Sequence, residues 1–156
     1  MFREVPARDA RLGQHSRSCD VPRRSESRQA GHTMCAVDIV ADLAVGAVAL
    51  LHVYILVLEM FLWTRPAGRR AFGTDAEFAR ASAPLAANQG LYNGFLAAGL
   101  IWGLLAGGQV GFQAKVFFLS CVLVAGIYGA ATVNRRILVV QAVPAAVALV
   151  LVVVAR

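Results

Sequence analysis

Four runs of apolar residues, each about as long as a bilayer is thick, constrain this chain more than any other feature. They are Ile39–Trp63, Leu85–Ala106, Val116–Val133 and Ile137–Val154. A membrane-crossing helix needs ~20 mainly apolar residues; the first run is slightly long and the third slightly short. No water is available inside lipid to pair with free backbone N–H and C=O groups, so such segments must be helical. The weak alternation of a membrane β-barrel is absent. The expected fold is all-α: an integral membrane four-helix bundle of up-down-up-down topology. Composition agrees, since 58% of the 156 residues are hydrophobic and only 15% are charged, against ~45–50% apolar in ordinary soluble domains.

The connections differ in kind. Loop one, "TRPAGRRAFGTDAEFARASAP", is long and charged. Its "TDAE" reads as a capping box, Thr74 with Glu77, opening a short interfacial helix over about Asp75–Ser82 that Pro84 ends. Phe72 and Phe78 would hold that helix at the membrane surface. Loop two, "GGQVGFQAK", is short and Gly-rich, and loop three, "NRR", is a tight helical hairpin. Glycines at 90, 94, 99, 103 and 107 in the second span permit close helix approach, within the chain or in a homo-oligomer.

Residues 1–33 are Arg- and Ser-rich and lack periodic apolar residues. They are expected to be a disordered tail, or to precede a true start at Met34, leaving residues 34–156 as the membrane domain. The net charge of +6 does not mark a nucleic-acid binder. Seven of the fifteen basic residues lie in the tail and the others flank apolar spans, where they set topology. From Met34 onward, loops one and three hold Arg65, Arg69, Arg70, Arg80, Arg135 and Arg136. Loop two and the C-terminus hold Lys115 and Arg156. Loops one and three are therefore expected in the cytoplasm. If the tail is translated, Arg23, Arg24 and Arg28 bring the balance to five against six and the rule no longer decides. Cys19, Cys35 and Cys121 form no metal or redox spacing.

Polar residues inside the spans gather in one half of the membrane. His52 and Glu59 are two helical turns apart on one helix face. Glu59 lies ~6 Å below Trp63 and His52 ~10 Å deeper. Asn88, Gln89, Tyr92 and Asn93 form i,i+4 pairs at similar depth on the second span. Tyr128 and Thr132 lie in the last turns of the third, and Gln141 about one turn into the fourth, before Pro144. In the opposite half Asp42 is the main exception. A charge at the bilayer centre costs roughly 2.5–3.5 kcal/mol. Protonation of the carboxyl, or amide donors from Asn88, Gln89 or Gln141, would offset this. Intramembrane ionisable groups mark a functional site by default, so His52, Glu59, Asn88, Gln89, Tyr92, Asn93, Tyr128 and Gln141 are the candidate binding residues. One histidine and one glutamate are too few for a metal. The bland alternative is that these amides and phenols merely join helices, at ~0.6 kcal/mol each.

"ALLHVYILVLEMFLWTRPAGRRAFG", "LAANQGLYNGFLAAGLIWGLL", "VAGIYGAATVNRRIL" and "VQAVPAAVALV" together resemble the small four-span bacterial family catalogued as domain of unknown function 1304. The resemblance runs from about Val37 to the C-terminus. It implies an integral membrane protein whose members typically begin just before the first span, in keeping with Met34. It implies no activity, cofactor or catalytic residue.

Three function classes remain open. A membrane glutamate can exchange a proton for a solute, as in a small transporter or transport accessory. The small multidrug resistance family has similar size and an intramembrane glutamate, but Glu59 lies near its helix end. A membrane enzyme or redox subunit binding a quinone or lipid would use His52 or Glu59 to move a proton. A structural subunit would use the polar groups only as helix contacts. The expected partners are the lipid bilayer, a small-molecule ligand and a second copy of the chain.

Overall fold

The computed structural model describes the backbone of residues 24–156 and the side chains of residues 36–156. The order of elements is α1 (Arg24–Met60), α2 (Pro66–Phe72), α3 (Ala76–Ala81), α4 (Ala83–Ala106), α5 (Gly108–Thr132), a π-helical turn at Leu138–Ala142, and α6 (Val143–Val154). Among the described residues there is no strand. The first helix extends well N-terminal to the expected Ile39 and takes in residues 24–33, which the sequence assigned to the tail; residues 1–23 lie outside the described residues.

Two loops differ from expectation. Loop two shrinks to Gly107. Gly107 and Gly108 have φ of 61° and 51°, a backbone region open to glycine that lets the chain reverse at once. The rest of "GGQVGFQAK" is the start of α5, because Phe112, Val116 and Leu119 follow helical spacing and pack into or against the core. Loop one holds two short helices rather than one. Pro66 opens α2 at a position where a missing N–H costs nothing, and Gly73 (φ 68°) closes it in the left-handed region. The cap of α3 is Asp75, one residue after the expected Thr74; Asp75 Oδ1 accepts from Phe78 N–H at 2.8 Å. Pro84 sits at the start of α4 rather than ending α3.

Pro144 has no N–H, and its ring would strike the Val140 carbonyl in a regular α-helix. The helix widens into the π turn just ahead of it, where Val143 N–H donates to the Leu138 carbonyl. The helix is continued rather than broken.

Four long segments pack in pairs: α1 on α4 and α6, and α5 on α4 and α6. Facing residues run in reverse sequence order. Glycine positions set this closeness, with Gly90 beside Glu59 and Met60, Gly99 beside Phe118, Gly103 beside Lys115, and Gly126 beside Ala142. Gly90, Gly94, Gly99 and Gly103 of α4 are thus turned toward α1 and α5 of the same chain. The shared core is built from small residues on helical stripes: Ala41, Val45 and Val48 on α1, Leu119 and Val122 on α5, and Ala145, Ala148 and Val152 on α6, with Leu100 from α4. Loops one and three lie at one end and Gly107 at the other, since Leu51 shares a groove with Val143, and Asp42 one with Val152.

Two segments are long and apolar enough to cross a membrane, Ala36–Met60 and Gly108–Thr132. Leu138–Val154 is apolar but shorter. Helix α4 has the length, but Asn88, Gln89 and Asn93 dilute its hydropathy.

Candidate functional site

The inward stripe of α1 runs Val45, Val48, Ala49, His52, the i, i+3, i+4, i+7 spacing of a buried helix face. His52 is therefore fully buried, 0% exposed. Its Nδ1 lies 2.8 Å from the Val48 carbonyl oxygen. That oxygen can only accept, so Nδ1 carries a proton and donates it. Nε2 is buried without a hydrogen-bond partner.

Two turns further on, Glu59 is half-buried. Its Oε2 accepts from Asn93 Nδ2 of α4 at 2.8 Å. The same Nδ2 donates to the Gln89 carbonyl at 3.1 Å. Both amide hydrogens are then engaged, one on the carboxyl and one on the preceding turn of its own helix. This fixes the orientation of the amide. Gly90 lets the helices come this close: a Cβ there would stand 2.6 Å from Met60 Cγ and 3.1 Å from Glu59 Cβ.

The other candidates divide. Gln141, on the π turn, is half-buried and reaches α5, its Nε2 donating to the Val122 carbonyl at 3.4 Å. Asn88, the Gln89 side chain and Tyr92 are exposed. Tyr92 meets Phe95 edge-on, with centroids 6.2 Å apart. Tyr128 is 70% exposed, and Thr132 donates to the Tyr128 carbonyl at 2.8 Å. Helix geometry explains the split. At ~100° per residue, Asn88 and Tyr92 lie opposite Gly90, which faces α1, and Tyr128 lies opposite Gly126, which faces Ala142 of the π turn. Shared depth did not imply a shared face. The structure joins Glu59 to Asn93 and turns His52 and Gln141 inward; it does not bring all eight residues together.

Two features were not foreseen. At the Gly107 end, Lys115 Nζ lies 2.7 Å from Asp42 Oδ1. Beside it, Arg156 donates to Gln109 Oε1 at 2.7 Å and stacks 4.1 Å above the Phe112 ring. Asp42, Lys115, Phe112 and Arg156 border a cavity of about 280 Å³ that Asp38 also lines. Oppositely charged Asp42 and Lys115 at one depth were the available signal. The second feature is an open apolar groove of about 380 Å³ between α1 and α6, lined by residues that include Ala47, Leu51, Val143, Pro144 and Val147. Among the described residues, no three His, Cys, Asp or Glu side chains come together as a metal site, and Cys121 is a free, half-buried thiol.

No curated protein and no solved structure matches the chain. Residues 46–153 match the family described as "Protein of unknown function (DUF1304)", a stretch that holds His52, Glu59, Asn93 and Gln141 together with all of α4 and α5. The chain belongs to that family.

Proposed function

We propose that the chain is a multi-pass integral membrane protein of the cell membrane, its four long helices forming an up-down-up-down bundle with loops one and three in the cytoplasm. Its activity is the movement of a small solute coupled to a proton, alone or as the accessory of a larger transporter. Two lines support the membrane reading. The outer faces of the helices are apolar, with Leu43 and Leu50 of α1, Phe117 and Val124 of α5, and Val139 and Val150 of the last helix all exposed, which water would not tolerate over so wide a surface. The charges gather at the helix ends, arginines dominating the loop-one and loop-three end.

The transport reading is carried by one observation. The Glu59 carboxyl is held by the Asn93 amide of a different helix, 2.8 Å away, inside an apolar segment. A carboxyl that gains or loses a proton there changes its bond to α4, so proton movement and helix movement are linked. His52, deeper on the same face of α1, offers Nε2 as a further proton-accepting or hydrogen-bonding atom. The test is proton flux into proteoliposomes that contain a trapped pH-sensitive dye, measured across a panel of small cations and metabolites. Solute-dependent flux in the wild type, lost in Glu59→Gln, is the expected result. Equal flux in both proteins rules out Glu59 as the coupling group.

The groove beside Pro144 favours a second reading, a membrane enzyme or redox subunit that receives a quinone or lipid from the side. Its walls are almost wholly apolar and it opens between α1 and α6. A lipid-soluble cofactor that stays with the protein through purification would favour this reading over transport.

A further inference from the structure

Loop one carries two buried polar atoms without partners, Arg69 Nε and Thr74 Oγ1. They belong to a single turn, for Thr74 N–H donates to the Arg69 carbonyl at 3.0 Å. The turn is held from several sides. Gly73 closes α2 in the left-handed region, its N–H also on the Arg69 carbonyl. Asp75 spends its carboxylate on the Phe78 N–H. The Phe72 ring lies 4.9 Å from that of Trp63, and Trp63 Nε1 donates to Ser82 Oγ at 3.1 Å.

The chemistry of the two atoms narrows what is missing. An arginine Nε–H can only donate, so its partner must be an acceptor; a threonine hydroxyl can donate to the same group. A tetrahedral oxyanion presents several acceptor oxygens and suits a guanidinium better than any neutral group. The surrounding charge agrees. Arg65, Arg70 and Arg80 share the loop, and Arg135 and Arg136 lie at the same end of the molecule, against Asp75 and Glu77 in the loop and Glu59 near the end of α1. Exposed Phe72 and Phe78 flank the turn. Aromatic rings beside arginines at a helix end fit the level of lipid headgroups, and the rings would meet acyl chains that a free anion lacks.

We propose that the turn joining α2 to α3 binds the phosphate of an anionic phospholipid, with Arg69 Nε and Thr74 Oγ1 donating to its oxygens. Both atoms are shut off in the unliganded loop, so binding turns the Arg69 and Thr74 side chains outward to meet the phosphate. The bound headgroup anchors loop one to the leaflet and sets the height of α1 and α4, which the loop connects. This rests on the membrane reading but not on transport.

The test is thermal unfolding of the purified full chain in neutral detergent, titrated separately with phosphatidylglycerol, phosphatidylcholine and inorganic phosphate. Phosphatidylglycerol is expected to raise Tm saturably, while phosphatidylcholine at equal concentration does not and inorganic phosphate acts only weakly. Arg69→Gln and Thr74→Val should each weaken the phosphatidylglycerol response roughly tenfold, and the exposed Arg70→Gln roughly threefold or less. Thr74→Val conserves shape and decides the matter if Arg69→Gln is already unstable without lipid. The proposal is overturned if the two lipids act alike, if inorganic phosphate saturates as tightly, or if Arg69→Gln and Arg70→Gln lose affinity equally. A chain that stays in carbonate-washed membranes yet shows no headgroup preference loses this site and keeps the membrane reading.

Discussion

Lys115 and Asp42 form an ion pair between α5 and α1, two helices that otherwise meet mainly through α4 and α6. The pair spans the diagonal of the helix arrangement at the Gly107 end. Lys115 is 18% exposed and Asp42 50%, so water screens the contact in part, and such pairs contribute ~0–1 kcal/mol. Lys115→Met is expected to lower unfolding stability within that range, measured by thermal unfolding in detergent. The charge-exchanged double variant Asp42→Lys/Lys115→Asp should recover most of the loss; no recovery would mean the lysine stem, rather than its charge, is what matters.

Asn93 is the polar residue of α4 whose substitution should be felt most. Asn93→Ala removes the donor to Glu59 and is expected to cost about 1 kcal/mol, within the range for side-chain bonds between membrane helices. Asn88→Ala, at an exposed position five residues away, is expected to be neutral within about 0.5 kcal/mol. Equal effects of the two changes in the same unfolding assay would remove the Glu59–Asn93 contact from the account.

His52 offers a trade between stability and activity. Its Nε2 is buried without a partner, a state that costs ~1–3 kcal/mol. The Val48 carbonyl retains its helical partner when the ring is gone. His52→Leu is therefore expected to leave unfolding stability unchanged or raise it by up to about 2 kcal/mol; under the proposed transport function it should also reduce solute-dependent flux. A marked drop in stability would point to a bound water or ligand on Nε2.

Two glycines should respond oppositely to alanine. At Gly126 a new Cβ would stand 2.9 Å from the Ala142 backbone nitrogen, forcing α5 and the π turn apart at a cost of about 1–3 kcal/mol. At Gly46 nothing lies within 4 Å, and alanine is expected to be neutral or to stabilise by up to about 1 kcal/mol through helix propensity. Parallel unfolding curves for the two variants check both.

The helical character of the chain was legible because apolar runs of bilayer length leave the backbone few choices. Boundaries were read less well where glycine stood. "GGQVGFQAK" looks like a loop by composition, yet only the two leading glycines turn, and Phe112 and Val116 draw the rest into the helix. The candidate site was read by depth, which rise per residue supplies. Facing direction was not, although the opposition of Asn88 and Tyr92 to Gly90 was present in the spacing. The Glu59–Asn93 bond and the Asp42–Lys115 pair depend on how two helices slide along each other, which a single sequence does not state.

The π turn at Leu138–Ala142 holds one residue more than an α-helical turn would need. The stretches on its two sides are thus out of phase by ~100°. Ile137 packs against Gly129 in one register, and Ala145, Ala148 and Val152 face the core in another. Straightening the turn would force either Ile137 or the α6 stripe to surrender its contacts, so the extra residue lets the hairpin end and the body of α6 meet the rest of the protein on separately chosen faces.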